Sequence, residues 1–187
     1  MKHLKMLGLF AMAAAALMAF AGSASAQTLT APAGTEYTGA LESSLEGSAL
    51  LKAGFAEITC TTGSVGGSVT TNNSTEASGS ITSVKFSNCG SATVTTLNNN
   101  GTLTILKSTH AVSGTGTEVT TAVAGTSCVY GLGATATALG TASNSASGVT
   151  LAISAKLPKI SGGFLCASPA TWTASYLVTS PKSSVLD

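Results

Sequence analysis

The sequence predicts an all-β fold, an immunoglobulin-like β-sandwich of roughly 8–11 short antiparallel strands stapled by two disulfides. β-branched Thr, Val and Ile recur with a period of two, and turn residues rich in Gly, Asn and Ser interrupt them roughly every 8–12 residues. No clear long amphipathic helix stands out. A chain of 187 residues has the length of one such domain.

The first 26 residues have the features of a secretory signal peptide. Lys2 and Lys5 precede an apolar run over residues 6–21, and Ala24-x-Ala26 is a small-residue cleavage pattern. Because a membrane-spanning helix needs about 20 apolar residues, the run is short for a span. We expect cleavage before Gln27 and one secreted β-sandwich domain over residues 27–187. The alternative is a retained N-terminal anchor.

Four cysteines, Cys60, Cys89, Cys128 and Cys166, follow the leader. An even number of cysteines in an exported chain predicts two disulfides, and four cysteines allow three connectivities. Pairing of neighbours would close loops of 29 and 38 residues. A metal site is the weaker interpretation, because the spacings are long and contain no C-x-x-C.

The predicted strands follow in chain order. Residues 55–60 alternate, with Ala56, Ile58 and Cys60 on one face, and residues 40–51 favour strands over a short helix because of Gly39 and Gly47. Asn98–Gly101 predicts a hairpin turn, since Asn-Gly tolerates positive φ. The other predicted strands are 80–86, 92–97, 102–107, 118–124, 127–130, 149–155 and 171–179. The Asn, Ser and Gly stretches 71–79 and 140–148 are predicted loops.

Charge is scarce. Only 8% of the residues are charged, there is no arginine, and the formal net charge is +1, which argues against a nucleic-acid partner. Serine and threonine make up about a third of residues 27–187. We therefore expect a surface solvated mainly by hydroxyl groups, and no membrane-spanning segment once the signal peptide is removed.

The inventory of reactive side chains disfavours an enzyme. His110 is the single histidine after the leader and Asp187 the single aspartate, which leaves a Ser-His-Asp triad without an orienting carboxylate. A glutamate-based glycan hydrolase remains formally open. Its candidates, Glu42, Glu46, Glu57 and Glu118, are expected at the solvated surface. We predict no catalytic residue, no cofactor and no metal.

Trp172 and Tyr176 lie in an alternating run and share one face of a predicted strand. One interpretation places this face in the core. The other makes it an aromatic strip that contacts sugar or hydrocarbon, which requires exposure.

The motifs also suggest a family. They are Thr35–Gly39, Ile58–Cys60, Phe86-x-x-Cys89, Cys128–Tyr130, Ser161-Gly162-Gly163-x-x-Cys166 and Trp172–Pro181. Together they resemble the small exported bacterial proteins grouped with the protein activator of alkane oxidation (the PraB type). The resemblance implies a secreted four-cysteine β-domain associated with the extracellular matrix or with growth on hydrocarbons, and it brings no catalytic residues.

We therefore expect a non-enzymatic secreted module that acts by surface contact. Its partners would be cell-surface components, the extracellular matrix or a hydrocarbon interface, and its oligomeric state stays open. A second hypothesis is a pilus-type subunit completed by strand donation, although residues 27–33 make a poor donor strand.

Overall fold

The computed structural model describes residues 29–31, 35–98 and 101–186. The predicted signal peptide, residues 1–26, lies outside the described residues, as do turn residues 99 and 100. The strands, in chain order, are β1 (Leu29–Thr30), β2 (Gly39–Ala53), β3 (Ala56–Cys60), β4 (Thr62–Asn72), β5 (Glu76–Ser87), β6 (Thr93–Asn98), β7 (Thr102–Leu106), β8 (Ala111–Thr115), β9 (Glu118–Val123), β10 (Thr126–Gly131), β11 (Thr137–Ser145), β12 (Gly148–Leu157), β13 (Lys159–Gly162), β14 (Ala170–Ser180) and β15 (Val185–Leu186). Every regular element in the described ranges is a strand, so the all-β class is confirmed.

The largest sheet closes into a barrel. Its order is β14-β12-β11-β8-β7-β5-β4-β2-β3, and β14 also pairs with β2. β3 and β4 pair with successive parts of β2 and act as one strand interrupted at Thr61, which leaves eight positions around the barrel. The predicted immunoglobulin-like sandwich is therefore wrong. A sheet whose first and last strands pair with each other is not one of two open layers.

A second sheet has the order β13-β10-β9-β6. Its strands lie in the connections between successive barrel strands. β6 lies between β5 and β7 in the chain, β9 and β10 lie between β8 and β11, and β13 lies between β12 and β14. Because neighbouring barrel strands are antiparallel, β5, β8 and β12 all run toward the same end of the barrel. We call the four strands the cap sheet and this end the capped end.

The predicted hairpin around Asn98–Gly101 is wrong. β6 pairs with β9 in the cap sheet, whereas β7 pairs with β5 and β8 in the barrel. The Asn-Gly pattern indicates a place where the chain turns, but it does not determine which strands become neighbours.

Two predicted loops are also largely strand. β5 begins at Glu76, and β11 extends to Ser145. In β11, Leu139 and Ala142 are buried while Ser and Asn face solvent. These two apolar side chains are enough to hold β11 in the sheet, where it pairs with β8 on one side and β12 on the other. The segment over 40–51 is strand, as predicted, within the single strand β2. Gly47, at φ 74, lies next to a register shift against β14.

The end opposite the cap is closed by the β1–β15 pair and by a hydrogen-bonded network of Asn72 and the buried Lys107. The Asn72 side chain accepts from the backbone N–H of Leu29 at 3.2 Å and from Lys107 Nζ at 2.7 Å. It also donates to the carbonyls of Leu29 and Tyr37. Lys107 is only 2% exposed, and burial lowers its pKa while the charge of Glu36 opposes that shift. This network holds β1 against the barrel.

The two predicted disulfides are confirmed, with neighbouring cysteines paired: Cys60 with Cys89, and Cys128 with Cys166. Each bond joins a barrel element to a part of the cap. Cys60 ends β3 and Cys89 leads into β6, whereas Cys128 lies in β10 and Cys166 lies in the connection into β14. The cap sheet is therefore held covalently over the capped end.

The double substitution Cys128→Ser/Cys166→Ser should lower the free energy of unfolding by about 4 kcal/mol, because it releases a loop of 38 residues in the unfolded chain. Urea denaturation followed by circular dichroism measures the change. Ser127→Ala, an exposed neighbour, is the control and should be near neutral. A loss below about 1 kcal/mol for the double variant would show that the bond contributes little.

Gly140 should be intolerant of any side chain. It has φ 154 at the register shift between β11 and β8, and a methyl group there would overlap the carbonyl oxygen of Ala152 on β12. We expect Gly140→Ala to destabilise the fold by at least about 2 kcal/mol. Gly133→Ala, where nothing lies within 4 Å, is the matched control and should stay within about 0.5 kcal/mol. Equal thermal unfolding of the two variants would contradict this account.

Candidate functional site

The β2–β3 turn presents a phenylalanine to solvent. Ala53 and Ala56 pair across a two-residue turn formed by Gly54 and Phe55. Gly54 has φ 64 while Phe55 has no positive φ, the combination that a type II′ turn requires. Ala53 packs into the core, and Phe55 at the tip is 90% exposed.

The connection from β13 to β14 presents a second apolar group. Phe164 is 93% exposed, and Leu165 beside it is 48% exposed. The residues that follow Leu165 anchor this loop to the rest of the protein. Cys166 is bonded to Cys128, its N–H donates to the Gly163 carbonyl, and the Tyr130 hydroxyl donates to the Ala167 carbonyl at 3.0 Å. Phe164 is thus held outward by a fixed turn.

The β2–β3 turn lies close to the β13–β14 connection at Ala167. A methyl group placed on Gly54 would lie 3.1 Å from the Cβ of Ala167. The register agrees, since Thr171 of β14 lies opposite Lys52 of β2. We name Phe55, Phe164 and Leu165 the apolar tip. It lies at the capped end of the barrel.

The apolar tip can make contact with an apolar phase. Scattered single hydrophobic residues are common on protein surfaces, but two phenylalanines exposed by 90% or more on adjoining turns form a different pattern. Burying one such side chain is worth about 1.5–3 kcal/mol. Lys52 and Glu57 form a 2.9 Å ion pair across the same hairpin, and the Lys159 ammonium lies 3.5 Å from the carbonyl of Gly163, the residue before Phe164.

Trp172 and Tyr176 do not form a surface strip. Both lie on the inward face of β14, where Tyr176 is 2% exposed and Trp172 is half-buried. The Trp172 ring packs edge-on against Phe86, with centroids 6.5 Å apart, and against Tyr176 at 6.2 Å. The prediction of surface contact fails for Tyr176 because barrel closure turns this face of β14 into the core. Burial also raises the pKa of its hydroxyl.

The reactive candidates stay dispersed. Glu42, Glu46 and Glu57 are exposed, as expected, and Glu118 is half-buried. His110 lies in the β7–β8 turn with φ 56, at the end opposite the cap. All four cysteines are in disulfides. Over residues 29–31, 35–98 and 101–186, no group of three or more His, Cys, Asp or Glu side chains is placed to hold a metal ion.

Comparison with known proteins gives no match: no family model, no curated protein and no solved structure is significantly similar to this chain. Within the described ranges, no helix has the length and apolarity needed to cross a membrane.

Neither phenylalanine of the tip was predicted from the sequence. Phe55 was assigned to the start of a strand, and Phe164 lies within the unassigned part of the Ser161–Cys166 motif. The available signal was glycine: each phenylalanine directly follows one, Gly54 or Gly163. A large apolar residue at a glycine turn is placed where the chain cannot bury it.

Because Trp172 packs in the barrel, we expect Trp172→Ala to lower the free energy of unfolding by about 2–4 kcal/mol. It should leave contact with apolar surfaces unchanged, provided that the measurement is made on folded protein. Chemical denaturation measures the free energy of unfolding. Co-sedimentation with hexadecane droplets, at a temperature well below the unfolding midpoint, measures the contact with an apolar surface. Trp172→Phe, which keeps a ring at this position, is the matched control and should lose less stability. A near-neutral Trp172→Ala variant that no longer binds droplets would restore the surface-contact interpretation.

Proposed function

We propose that this protein is a non-enzymatic, secreted β-domain that acts by surface contact, and that the apolar tip inserts into an apolar interface such as hydrocarbon or the lipid of a cell surface. The observation that carries the proposal is the exposure of Phe55 and Phe164 on adjoining turns, at 90% and 93%. Protruding rings suit a fluid apolar phase, which adapts to their shape.

The rigidity of the tip supports this role. The Cys128–Cys166 bond and the Tyr130 hydrogen bond fix one turn, and a two-residue hairpin fixes the other. Little backbone entropy remains to be lost when the rings are buried, so more of the transfer free energy contributes to binding.

The disulfides suit an oxidising compartment, which agrees with the secretion proposed from the leader sequence. The proposal also agrees with the resemblance to exported proteins associated with growth on hydrocarbons. That resemblance suggests the class of interface but supplies no residue of the tip.

Strand donation is less well supported. In the described part of the chain, each of the eight barrel positions has a neighbour on both sides, so the barrel provides no groove that lacks a strand. The expected donor segment is itself engaged, because Leu29 and Thr30 pair with Leu186 and Val185 of the same chain.

The test replaces both rings of the tip, as Phe55→Ser/Phe164→Ser. The variant loses the free energy of transferring two phenylalanine side chains from water to the apolar phase. This should weaken binding to hexadecane droplets, or to neutral phosphatidylcholine vesicles, by at least about a hundredfold. Because both rings are exposed, stability should change by no more than about 0.5 kcal/mol. Co-sedimentation measures the binding.

Leu106→Ser is the matched control. Leu106 is an exposed apolar residue at the end of β7, on the side of the barrel opposite the cap, and its loss should leave binding intact. Equal binding by the wild type and the double variant would exclude the apolar tip as the contact. Absence of wild-type binding to both surfaces would exclude an apolar interface as the partner.

A further inference from the structure

Two adjoining apolar cavities lie inside the barrel, with volumes of about 90 Å³ and about 60 Å³. The walls of both include Ser43, Ile81 and Leu151. The larger cavity reaches Val119 of the cap sheet, whereas the smaller one reaches Leu29 of β1, at the end opposite the cap. The two cavities therefore follow each other along the barrel axis.

The space exists because several inward-facing side chains of the barrel are small. Ser43 and Ala49 of β2 and Ala77 of β5 are buried and line the cavities. A barrel of eight strand positions is either filled by its own side chains or holds one small ligand. Leu103 and Trp172 line the larger cavity and are nevertheless only half-buried, and this cavity is open to solvent on one side. A small molecule can therefore enter the folded barrel.

The cavity walls offer a ligand almost no polar group. Ser43, Thr121 and Tyr130 each donate a hydrogen bond to a backbone carbonyl, and the hydroxyl oxygens of Thr117 and Tyr176 expose almost no surface. Among the described residues, no charged side chain lines either cavity. An ordered water needs two to four polar partners, so apolar cavities of this kind stay dry. A polar ligand would lose its hydration without gaining hydrogen bonds, whereas a hydrocarbon would lose nothing.

We propose that the two cavities form a binding site for a short, unfunctionalised hydrocarbon of about five carbon atoms, bound along the barrel axis. The size follows from the two volumes, which correspond to about three and about two water molecules in the liquid. An engineered apolar cavity of about 150 Å³ in another protein binds benzene, a hydrocarbon of similar size. The site is separate from the apolar tip, whose residues line neither cavity.

The experiment titrates the full chain with n-pentane and, separately, with pentanoate, which has the same chain length and a negative charge. Methyl ¹³C NMR of Ile81 and Leu151, on the wall of both cavities, reports occupation. We expect saturable shifts at these methyl groups with n-pentane and none with pentanoate. We also expect nuclear Overhauser contacts from n-pentane to Val119 at one end and to Ile105 at the other, because each lines one cavity only.

Leu103→Phe should weaken n-pentane binding by at least about tenfold, because the larger side chain occupies space at the wall that the cavities share and leaves about two carbon atoms of the ligand unburied. Leu106→Phe is the matched control. It makes the same change on the same strand, at an exposed position outside both cavities, and should leave the affinity unchanged. Phe55→Ser/Phe164→Ser should bind n-pentane as the wild type does, which separates this site from the function proposed for the apolar tip.

Absence of saturable shifts in the wild type would overturn the site, and pentanoate binding as tight as that of n-pentane would overturn the hydrocarbon class. Equal n-pentane affinity in the wild type and in Leu103→Phe would place the ligand outside the two cavities and refute the proposal. If Leu103→Phe does not fold, the Overhauser contacts in the wild type decide. Contacts with both Val119 and Ile105 support binding along the axis, whereas contacts with neither or with only one of them refute it.

Discussion

The pairing of β2 with β14 is the constraint on which the rest of the structure depends. It joins segments that are far apart in the chain: the Ser175 hydroxyl lies 3.4 Å from the Glu46 carboxylate, 129 positions away. Without it, both strands would be sheet edges with unpaired backbone groups. With it, the inward faces of eight strand positions become one continuous wall. The Trp172 face then has to be core, because no inward face of a closed barrel remains free.

Closure leaves two open ends, and the chain covers them in different ways. At one end the connections between barrel strands are short, and β1 with β15 and the Asn72–Lys107 pair fill the space. At the other end three connections are long enough to carry strands, which pair into the cap sheet. The cap sheet has two edge strands, β13 and β6, and packs on the barrel with one face only. Covalent anchors are therefore most useful there, and both disulfides lie at that end.

The sequence could predict the strands whose one-sided burial is strong, since period-two alternation directly reports two faces. β10, β12 and β14 were predicted for that reason. β11 was missed because its buried face rests on Leu139 and Ala142 among small polar residues typical of loops. Alternation identifies faces but not partners, so it cannot separate a sandwich from a barrel or assign β6 to the cap sheet. The cysteine count predicted two bonds, whereas their pairing required the fold. The packing of the cap sheet on the barrel was beyond sequence reasoning, because it depends on how two sheets meet.

The same arrangement accounts for the distribution of aromatic residues. A barrel wall rich in Ala, Val, Ser and Thr leaves space inside, and Phe86, Tyr130, Trp172 and Tyr176 occupy part of it. Phe55 lies beyond the last β2–β3 pair and Phe164 lies in the connection between β13 and β14, and both rings are exposed. The Cys128–Cys166 bond connects these two environments, because it fixes the turn that exposes Phe164 and the cap strand that carries the buried Tyr130. One covalent link therefore holds both the turn that carries Phe164 and the cap strand that carries Tyr130.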